Sequence, residues 1–218
     1  MENVTKKKIK GTLIAVSYIA MAAAIVVSST SLFKSFYYDL IYVSGSSMSP
    51  TLDGGTSSIT SLHDYGVVDK HDSAKRNLKR FQIVTTYYPG DTKESPYKIK
   101  RLLVKPGETF KILDNNLYLY NNTTSLWSSA INMPFDRNLS SLPKSYNNGK
   151  AVTLKDDQYF LAGDNWANSY DSFNVGPISY SYLVGVVVEI QGKCKVNSEG
   201  KVYDKTPTLP RYFLGVDY

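Results

Sequence analysis

The chain has 218 residues, of which 42% are hydrophobic and 20% charged, a composition typical of a packed globular domain and unlike that of a disordered protein. One cysteine and two histidines exclude an internal disulfide and are too few for a zinc or iron-sulfur site, so we expect neither metal nor cofactor. The net charge is +6, and half of it lies in the first ten residues. The net charge of the other residues is small and their positive and negative side chains are interspersed, so the sequence does not predict nucleic-acid binding.

The first predicted element is an N-terminal transmembrane helix. Residues 11–33 carry no charge, and as a helix they would span roughly 34 Å, against about 30 Å for the hydrocarbon core of a bilayer. Four lysines lie within 1–10, so the positive-inside rule predicts a cytoplasmic N-terminus and an extracytoplasmic domain at 34–218. A cleavable secretory signal is the alternative, although no clear small-x-small cleavage site follows the apolar run.

Beyond the anchor the sequence predicts a mostly β, antiparallel domain. Short β-branched and aromatic runs alternate with turn residues, which is typical of strands. The predicted strands are 40–43, 57–62, 81–88, 97–104, 109–113, 117–120, 158–162 and 183–190. Asp and Asn at 114–116 predict a hairpin turn, because their short side chains tolerate left-handed conformations. Residues 63–80 are interpreted as a polar, solvated linker, and about 121–150 as a loop-rich insert.

A serine-rich turn at 43–52 is the first candidate for chemistry. The chain leaves a predicted strand through Gly45 and is stiffened by Pro50, which can present one serine hydroxyl on a fixed, exposed corner. A serine needs a base to become a nucleophile, and both histidines lie in the predicted linker. Taken alone, the turn favours an ordinary loop.

A lysine in the predicted strand 97–104 is the second candidate. Period-two alternation predicts that Lys100 shares a face with Leu102 and Val104, while Arg101 lies on the opposite face. Desolvation among apolar neighbours disfavours the ammonium form, which prepares a lysine to act as a general base. The alternative is an edge-strand lysine that deters aggregation, and a lone lysine favours it.

The third candidate is the segment 161–177, which follows a hydrophobic strand and is dense in Asp, Asn and Ser. This density is ordinary for turns, but it also suits side chains that orient a catalytic group. No one of the three segments identifies an activity by itself.

Taken in order after an anchor, the three segments resemble the bacterial type I signal peptidases, membrane-anchored Ser-Lys endopeptidases that remove signal peptides from exported proteins. The resemblance rests on Ser-Gly-x-Ser-Met-x-Pro-Thr-Leu at 44–52, Ile-Lys-Arg at 99–101 with Pro-Gly at 106–107, and Gly-Asp-Asn-x-x-x-Ser-x-Asp-Ser at 163–172. It leaves the insert at 121–150 and the tail from Lys193 unexplained.

The resemblance implies a role for each matching residue. It makes Ser47 the nucleophile, Lys100 the general base and Ser169 the hydroxyl that orients the amine. It pairs Asp171 with Arg101, which would hold the loop against the strand. The backbone N–H of Ser47 would contribute to the oxyanion hole.

The chain also departs from the family pattern. Some members have a second oxyanion-hole serine where this chain has Gly45, as the Gram-positive forms do, so the second donor is not identified. Trp166 and Phe173 stand where the family usually has arginines, and we expect them to weaken the salt-bridge scaffold of the loop.

The resemblance implies that an extended peptide adds to a strand edge, with small side chains at the first and third residues before the cut. The candidate pocket walls, for which plain hydrophobic core is the alternative role, are Ile41, Val43, Met48 and Ile99. The expected partners are the signal peptides of exported preproteins and the lipid of the cytoplasmic membrane, with no nucleic acid and no metal.

We therefore expect a serine endopeptidase that acts on the exposed face of the cytoplasmic membrane. The main alternative is a specialised or non-catalytic relative that serves the assembly of surface pili. A LexA-like self-cleaving switch also uses a Ser-Lys dyad, but the transmembrane segment and the lack of a DNA-binding domain argue against it. A non-catalytic adhesin would require all three motifs to be coincidental.

Overall fold

The computed structural model describes residues 2–55, 60–92, 94–131, 146 and 148–216, with side chains from residue 13 onward. The chain divides into two compact units, which comprise residues 1–39 and 40–218. The first is helical, and the regular structure of the second is mainly β-strand.

The first unit is dominated by one helix, α1 (Glu2–Tyr37). Its segment Leu13–Tyr37 contains an 18-residue stretch with a mean hydropathy of 2.0 and is long and apolar enough to cross a membrane. The helix extends four residues past the predicted end at residue 33, because the following Lys-Ser-Phe-Tyr contains neither glycine nor proline to stop it.

Antiparallel β-structure makes up most of the second unit, which confirms the predicted fold class. The larger sheet contains β1 (Tyr38–Tyr42), β2 (His63–Asp69), β3 (Ile83–Thr86), β4 (Lys98–Val104), β9 (Gln158–Ala162), β10 (Ile178–Ser179), β11 (Leu183–Val196) and β12 (Val202–Tyr212). The strand order is β1-β2-β11-β3-β4-β9-β10, and β12 also pairs with the long strand β11. Two short helices, α2 (Asp72–Arg76) and α3 (Ser172–Val175), lie between strands.

A smaller sheet has the order β7-β6-β5-β8. Its strands are β5 (Thr109–Leu113), β6 (Asn116–Asn121), β7 (Leu126–Trp127) and β8 (Val152–Thr153). The predicted hairpin is present, because Asp114 and Asn115 both adopt positive φ, 48° and 60°, between the paired residues Leu113 and Asn116. Two left-handed residues are what a tight hairpin turn requires.

The interpretation of 63–80 as a linker was wrong. β2 is an internal strand between β1 and β11, and α2 follows it. Its polar start misled the prediction, since Asp64 is only 1% exposed and its charge is met by partners from distant strands. The tail also forms the strand β12, which tolerates Pro207 and Pro210 because, among the described strands, it pairs with β11 alone and leaves its other edge open.

Two other predictions fall partly outside the described residues. Of the predicted strand 57–62, residues 57–59 lie outside them, and 60–62 are not in a strand. Of the predicted insert at 121–150, residues 132–145 and 147 lie outside them, and the described part contains β7.

The alternation predicted for β4 holds only up to Leu102. The pairing of β4 with β9 shifts register between Leu102 and Val104. Leu102 therefore packs in one cluster of buried residues, while Leu103 and Val104 both pack in another. The prediction that Lys100 shares its face with Val104 was wrong, because an extra residue in one strand turns the following side chain to the other side.

Candidate active site

The turn that contains Ser47 follows β1 and is packed onto the sheet by its apolar residues. Met48 and Leu52 are almost completely buried in an aliphatic cluster with residues of β2, β3 and β11. The N–H of Leu52 donates to the carbonyl of Met48 at 2.9 Å, which closes the turn. A Cβ atom at Gly54 would lie 1.8 Å from the carbonyl oxygen of Gly45, so the two ends of the turn can meet only because residue 54 is glycine.

Lys100 reaches this turn from β4. Its Nζ donates to Ser47 Oγ at 2.8 Å and to the carbonyl oxygen of Ile99 at 3.0 Å. The lysine is only 4% exposed while Ser47 is partly exposed, so the nucleophile candidate and the base candidate are in direct contact with the base candidate on the buried side.

Burial lowers the pKa of Lys100 to about 8, because the apolar surroundings disfavour the ammonium form. The negative charges of Asp171 and Asp164 act in the opposite direction, and the positive charge of Lys98 adds to the lowering. A substantial fraction of the amine is thus neutral at mildly alkaline pH.

A loop at residues 163–176 meets the serine turn at Gly163. A Cβ atom there would lie 2.4 Å from the carbonyl oxygen of Ser47 and 2.3 Å from Ser169 Oγ. Asn165 then joins the two segments, since its backbone N–H donates to the carbonyl of Ser47 at 3.0 Å and its Nδ2 to the carbonyl of Ser46 at 3.1 Å. Sequence reasoning assigned no role to Asn165, although its position beside Gly163 in the matched motif was a usable signal.

Ser169 and Asp171 form one hydrogen-bonded unit in this loop. Ser169 Oγ donates to Asp171 Oδ2 at 2.6 Å, and the same carboxylate accepts the backbone N–H groups of Gly163 and Phe173 at 2.9 and 3.0 Å. Asp171 thereby caps the N-terminus of α3. Burial raises the pKa of the Asp171 carboxyl, while these hydrogen bonds act against the rise.

The predicted ion pair between Arg101 and Asp171 was wrong. Arg101 makes a two-point contact with Asp164 instead, from Nε to Oδ1 at 2.7 Å and from Nη2 to Oδ2 at 2.5 Å. Its Nη1 donates to the carbonyl of Phe81 at 2.7 Å. The reason is register, because Arg101 pairs with Ala162 on β9, and the chain continues from there directly to Asp164.

Trp166 and Phe173 replace the expected arginines with aromatic packing. Both are 6% exposed, and their ring centroids are 5.4 Å apart. Phe173 also meets the ring of Phe160 on β9 at 5.0 Å. The loop is therefore held against the sheet by ring contacts at positions where we expected a salt-bridge scaffold to be weakened.

Ser47 and Lys100 lie in a cleft of about 360 Å³. All four predicted wall residues, Ile41, Val43, Met48 and Ile99, line it. The remaining lining residues are Leu40, Tyr42, Ser44, Thr85, Tyr87, Ser95, Pro96, Tyr97 and Lys98. Ile41, Val43 and Met48 are also buried members of the aliphatic cluster, so they both line the cleft and belong to the hydrophobic core.

Comparison with known proteins agrees with this geometry. Residues 12–191 match the family described as signal peptidase, peptidase S26. The chain belongs to this family. It is 32% identical to signal peptidase I T of Bacillus subtilis over 173 residues, which cover 78% of this chain and 82% of that protein. It is 29% identical to signal peptidase I V of the same organism over 158 residues, which cover 68% of this chain and 83% of that protein.

Among solved structures, the chain is similar to a signal peptidase I from Enterococcus faecalis, with 22% identity and a TM-score of 0.38 over 51% of this chain and 97% of that one. Family membership makes the chain a peptidase of the class that cleaves signal peptides. The apolar helix α1 fits the membrane anchoring expected of such an enzyme.

Proposed function

We propose that the protein is a serine endopeptidase in which Ser47 is the nucleophile and Lys100 the general base. The observation that carries the proposal is the 2.8 Å contact between Lys100 Nζ and Ser47 Oγ in a site where the lysine is 4% exposed. With its pKa lowered to about 8, the amine can lose its proton and accept that of Ser47 across the same contact.

In the proposed reaction, Ser47 Oγ attacks the carbonyl carbon of the scissile bond while its proton passes to Lys100 Nζ. The resulting ammonium then protonates the leaving amine, and an acyl-enzyme remains. A water molecule, deprotonated by the neutral lysine, releases the acyl group. The backbone N–H of Ser47 has no acceptor within the described part of the chain, and so it is available to stabilise the oxyanion.

Ser169, Asp171 and Arg101 are proposed as supporting residues. Ser169 was expected to orient the amine directly, but its hydroxyl donates to Asp171, and the described partners of Lys100 Nζ are Ser47 and Ile99. Ser169 would therefore act through Asp171, whose charge influences the pKa of Lys100. Arg101 acts one step further away, because it anchors the start of the loop through Asp164.

The substrate is proposed to be the signal peptide of an exported preprotein, bound in extended form along the cleft. Ile41, Val43, Met48 and Ile99 would form shallow apolar walls that suit small side chains before the cut. We propose that α1 spans the cytoplasmic membrane with residues 1–10 inside and 34–218 outside, so that the cleft meets precursors as they emerge.

The test uses the full-length protein in detergent and a precursor with Ala-x-Ala at the end of its signal peptide. We expect Ser47→Ala and Lys100→Met each to abolish cleavage, and the double variant to be no worse, because nucleophile and base act as one unit. Ser49→Ala, in the same turn, is the matched control and should retain activity. Cleavage by a Ser47→Ala protein with an unchanged circular dichroism spectrum would overturn the proposal, and an inactive wild type would favour the non-catalytic alternative.

Orientation is tested separately by protease treatment of intact spheroplasts. The β-rich domain should be digested without lysis if it faces outward. Protection of the domain until the membrane is lysed would reverse the proposed topology while leaving the proposed chemistry untouched.

A further inference from the structure

Asp64 of β2 bonds the turn that contains Ser47 on both sides of its base. The carbonyl of Asp64 accepts the N–H of Val43 at 2.8 Å, before the turn, and its N–H donates to the carbonyl of Asp53 at 2.8 Å, after it. Its carboxylate Oδ2 also accepts the N–H of Asp53 at 2.7 Å. The placement of the nucleophile thus depends on how firmly Asp64 itself is held.

Asp64 is 1% exposed, and a buried carboxylate needs compensating positive charge. Two cations provide it at Oδ1, where Arg211 Nη2 lies at 2.7 Å and Lys193 Nζ at 3.0 Å. Both cations continue to the turn itself. Lys193 Nζ donates to Asp53 Oδ2 at 2.9 Å, and Arg211 Nη1 donates to the carbonyl of Thr51 at 3.0 Å.

Both cations come from the part of the chain that the family resemblance leaves unexplained. Lys193 lies on β11 and Arg211 on β12, and both follow residue 191, where the family match ends. These two strands are antiparallel, and their pairing runs from Glu189 opposite Tyr212 to Val196 opposite Val202. The C-terminal hairpin therefore reaches back across the sheet to the nucleophile turn.

We infer that Lys193 and Arg211 form a clamp that positions Ser47 against Lys100 by holding Asp64, Asp53 and Thr51. The two are positioning residues that touch neither the substrate nor the reacting atoms. The inference rests on the proposed role of Ser47 as nucleophile.

The expected effect is on turnover more than on substrate binding. The contact between Ser47 and Lys100 joins two separate elements, and a displacement of about 1 Å between reacting groups can cost about a hundredfold in rate. Within the described part of the chain, the side chains of Lys193 and Arg211 bond to Asp53, Asp64 and Thr51, none of which lines the cleft, so KM should change little. The clamp side chains are 44% and 30% exposed, so each one alone should contribute modestly to stability.

The chain offers a matched control within the same hairpin. Lys195 lies two residues after Lys193 on β11, is 34% exposed, and pairs with Asp204 at 2.6 Å. Among the described residues, its partner lies on the hairpin and not on the turn. Lys195→Gln therefore removes an equivalent surface ion pair without touching the clamp.

The experiment measures kcat and KM of the full-length protein in detergent with a fluorogenic signal-peptide substrate. We expect Arg211→Gln and Lys193→Gln each to lower kcat about fivefold and the double variant about thirtyfold, with KM within about twofold of wild type. Arg211→Lys should regain part of the lost kcat, and Lys195→Gln should stay near wild type. The pH at which activity rises as Lys100 loses its proton should be the same in all of these variants.

Two results would overturn the clamp. One is a double variant whose kcat equals that of Lys195→Gln. The other is a loss of kcat that disappears when rates are divided by the folded fraction, measured by thermal unfolding. A parallel Ser47→Ala sample separates the two proposals. If Ser47→Ala is inactive and the double variant is normal, the clamp is overturned and the role of Ser47 as nucleophile is supported. If Ser47→Ala is active, the role of Ser47 as nucleophile is overturned.

Discussion

The two loops that meet beside Lys100 are held to the sheet by different forces. The turn around Ser47 is bound through Asp64 to two cations that are 44% and 30% exposed. The loop at 163–176 is bound by a buried contact between Arg101 and Asp164, whose side chains are 5% and 0% exposed, and by aromatic packing. Besides the packing of Met48 and Leu52, the turn around Ser47 therefore depends on charges that solvent can screen, whereas the loop at 163–176 depends on contacts that solvent does not reach.

The loops also differ in what they do to the charge of the lysine. The serine turn offers Lys100 a neutral hydroxyl, while the second loop supplies Asp171 and Asp164, which favour the ammonium form. The pKa of about 8 is the result of burial working against these carboxylates. One loop thus carries Ser47, and the other limits how far the pKa of Lys100 is lowered.

The largest expected effect comes from breaking the buried ion pair of the second loop. Asp164→Asn should destabilise the protein by about 3–5 kcal/mol, because it leaves the guanidinium of Arg101 buried without its counter-charge. Urea unfolding of the full-length protein in detergent measures the loss. The double variant Arg101→Met, Asp164→Leu should recover much of the lost stability, because neither charge is then buried. A loss of less than about 1 kcal/mol in Asp164→Asn would contradict the proposed difference between the loops.

Removal of an aromatic anchor should have the next largest effect. Phe173→Ala is expected to cost about 3 kcal/mol, since it opens a cavity between Trp166 and Phe160, whereas Phe173→Leu should cost about 1 kcal/mol. The shift in unfolding midpoint measures both. If the alanine and leucine variants are equally stable, ring packing does not hold this loop.

The pH dependence of cleavage separates the electrostatic roles of the loops. The rate should rise with pH through about 8, as Lys100 loses its proton. Asp171→Asn removes a charge that stabilises the ammonium, so this limb should move to lower pH by up to about one unit. Asp53→Asn, in the serine turn, should leave the limb in place. A limb that moves to higher pH in Asp171→Asn would contradict the sign of the interaction.

Salt should produce the smallest effect. In about 1 M NaCl the Debye length falls to about 3 Å, which weakens the half-exposed contacts of Lys193 and Arg211 more than the buried contact of Arg101. We expect kcat to fall about twofold between 0.1 and 1 M NaCl in the wild type and to be flat in the Lys193→Gln, Arg211→Gln double variant. Equal salt dependence in both proteins would show that the exposed charges do not set the position of Ser47.

Sequence reasoning was most accurate where the decisive contacts are local. The hairpin turn at Asp114 and Asn115 follows from the conformations that these two side chains tolerate, and the strands at 109–113 and 158–162 follow from their own pattern. It failed for β2, because a strand that buries Asp64 looks polar until its distant cations are known. It also missed β12, whose exposed side chains carry no apolar alternation.

The sequence by itself determined the apolar helix, the mostly β character and the three motifs that indicate the family, because each of these depends on neighbouring residues. Only the tertiary structure decided which groups meet. Lys100 contacts Ser47, which is 53 positions away, and Arg101 selects Asp164 over Asp171. Such contacts depend on strand order and register, which bring distant segments together, and a register shift of one residue redirects every side chain that follows.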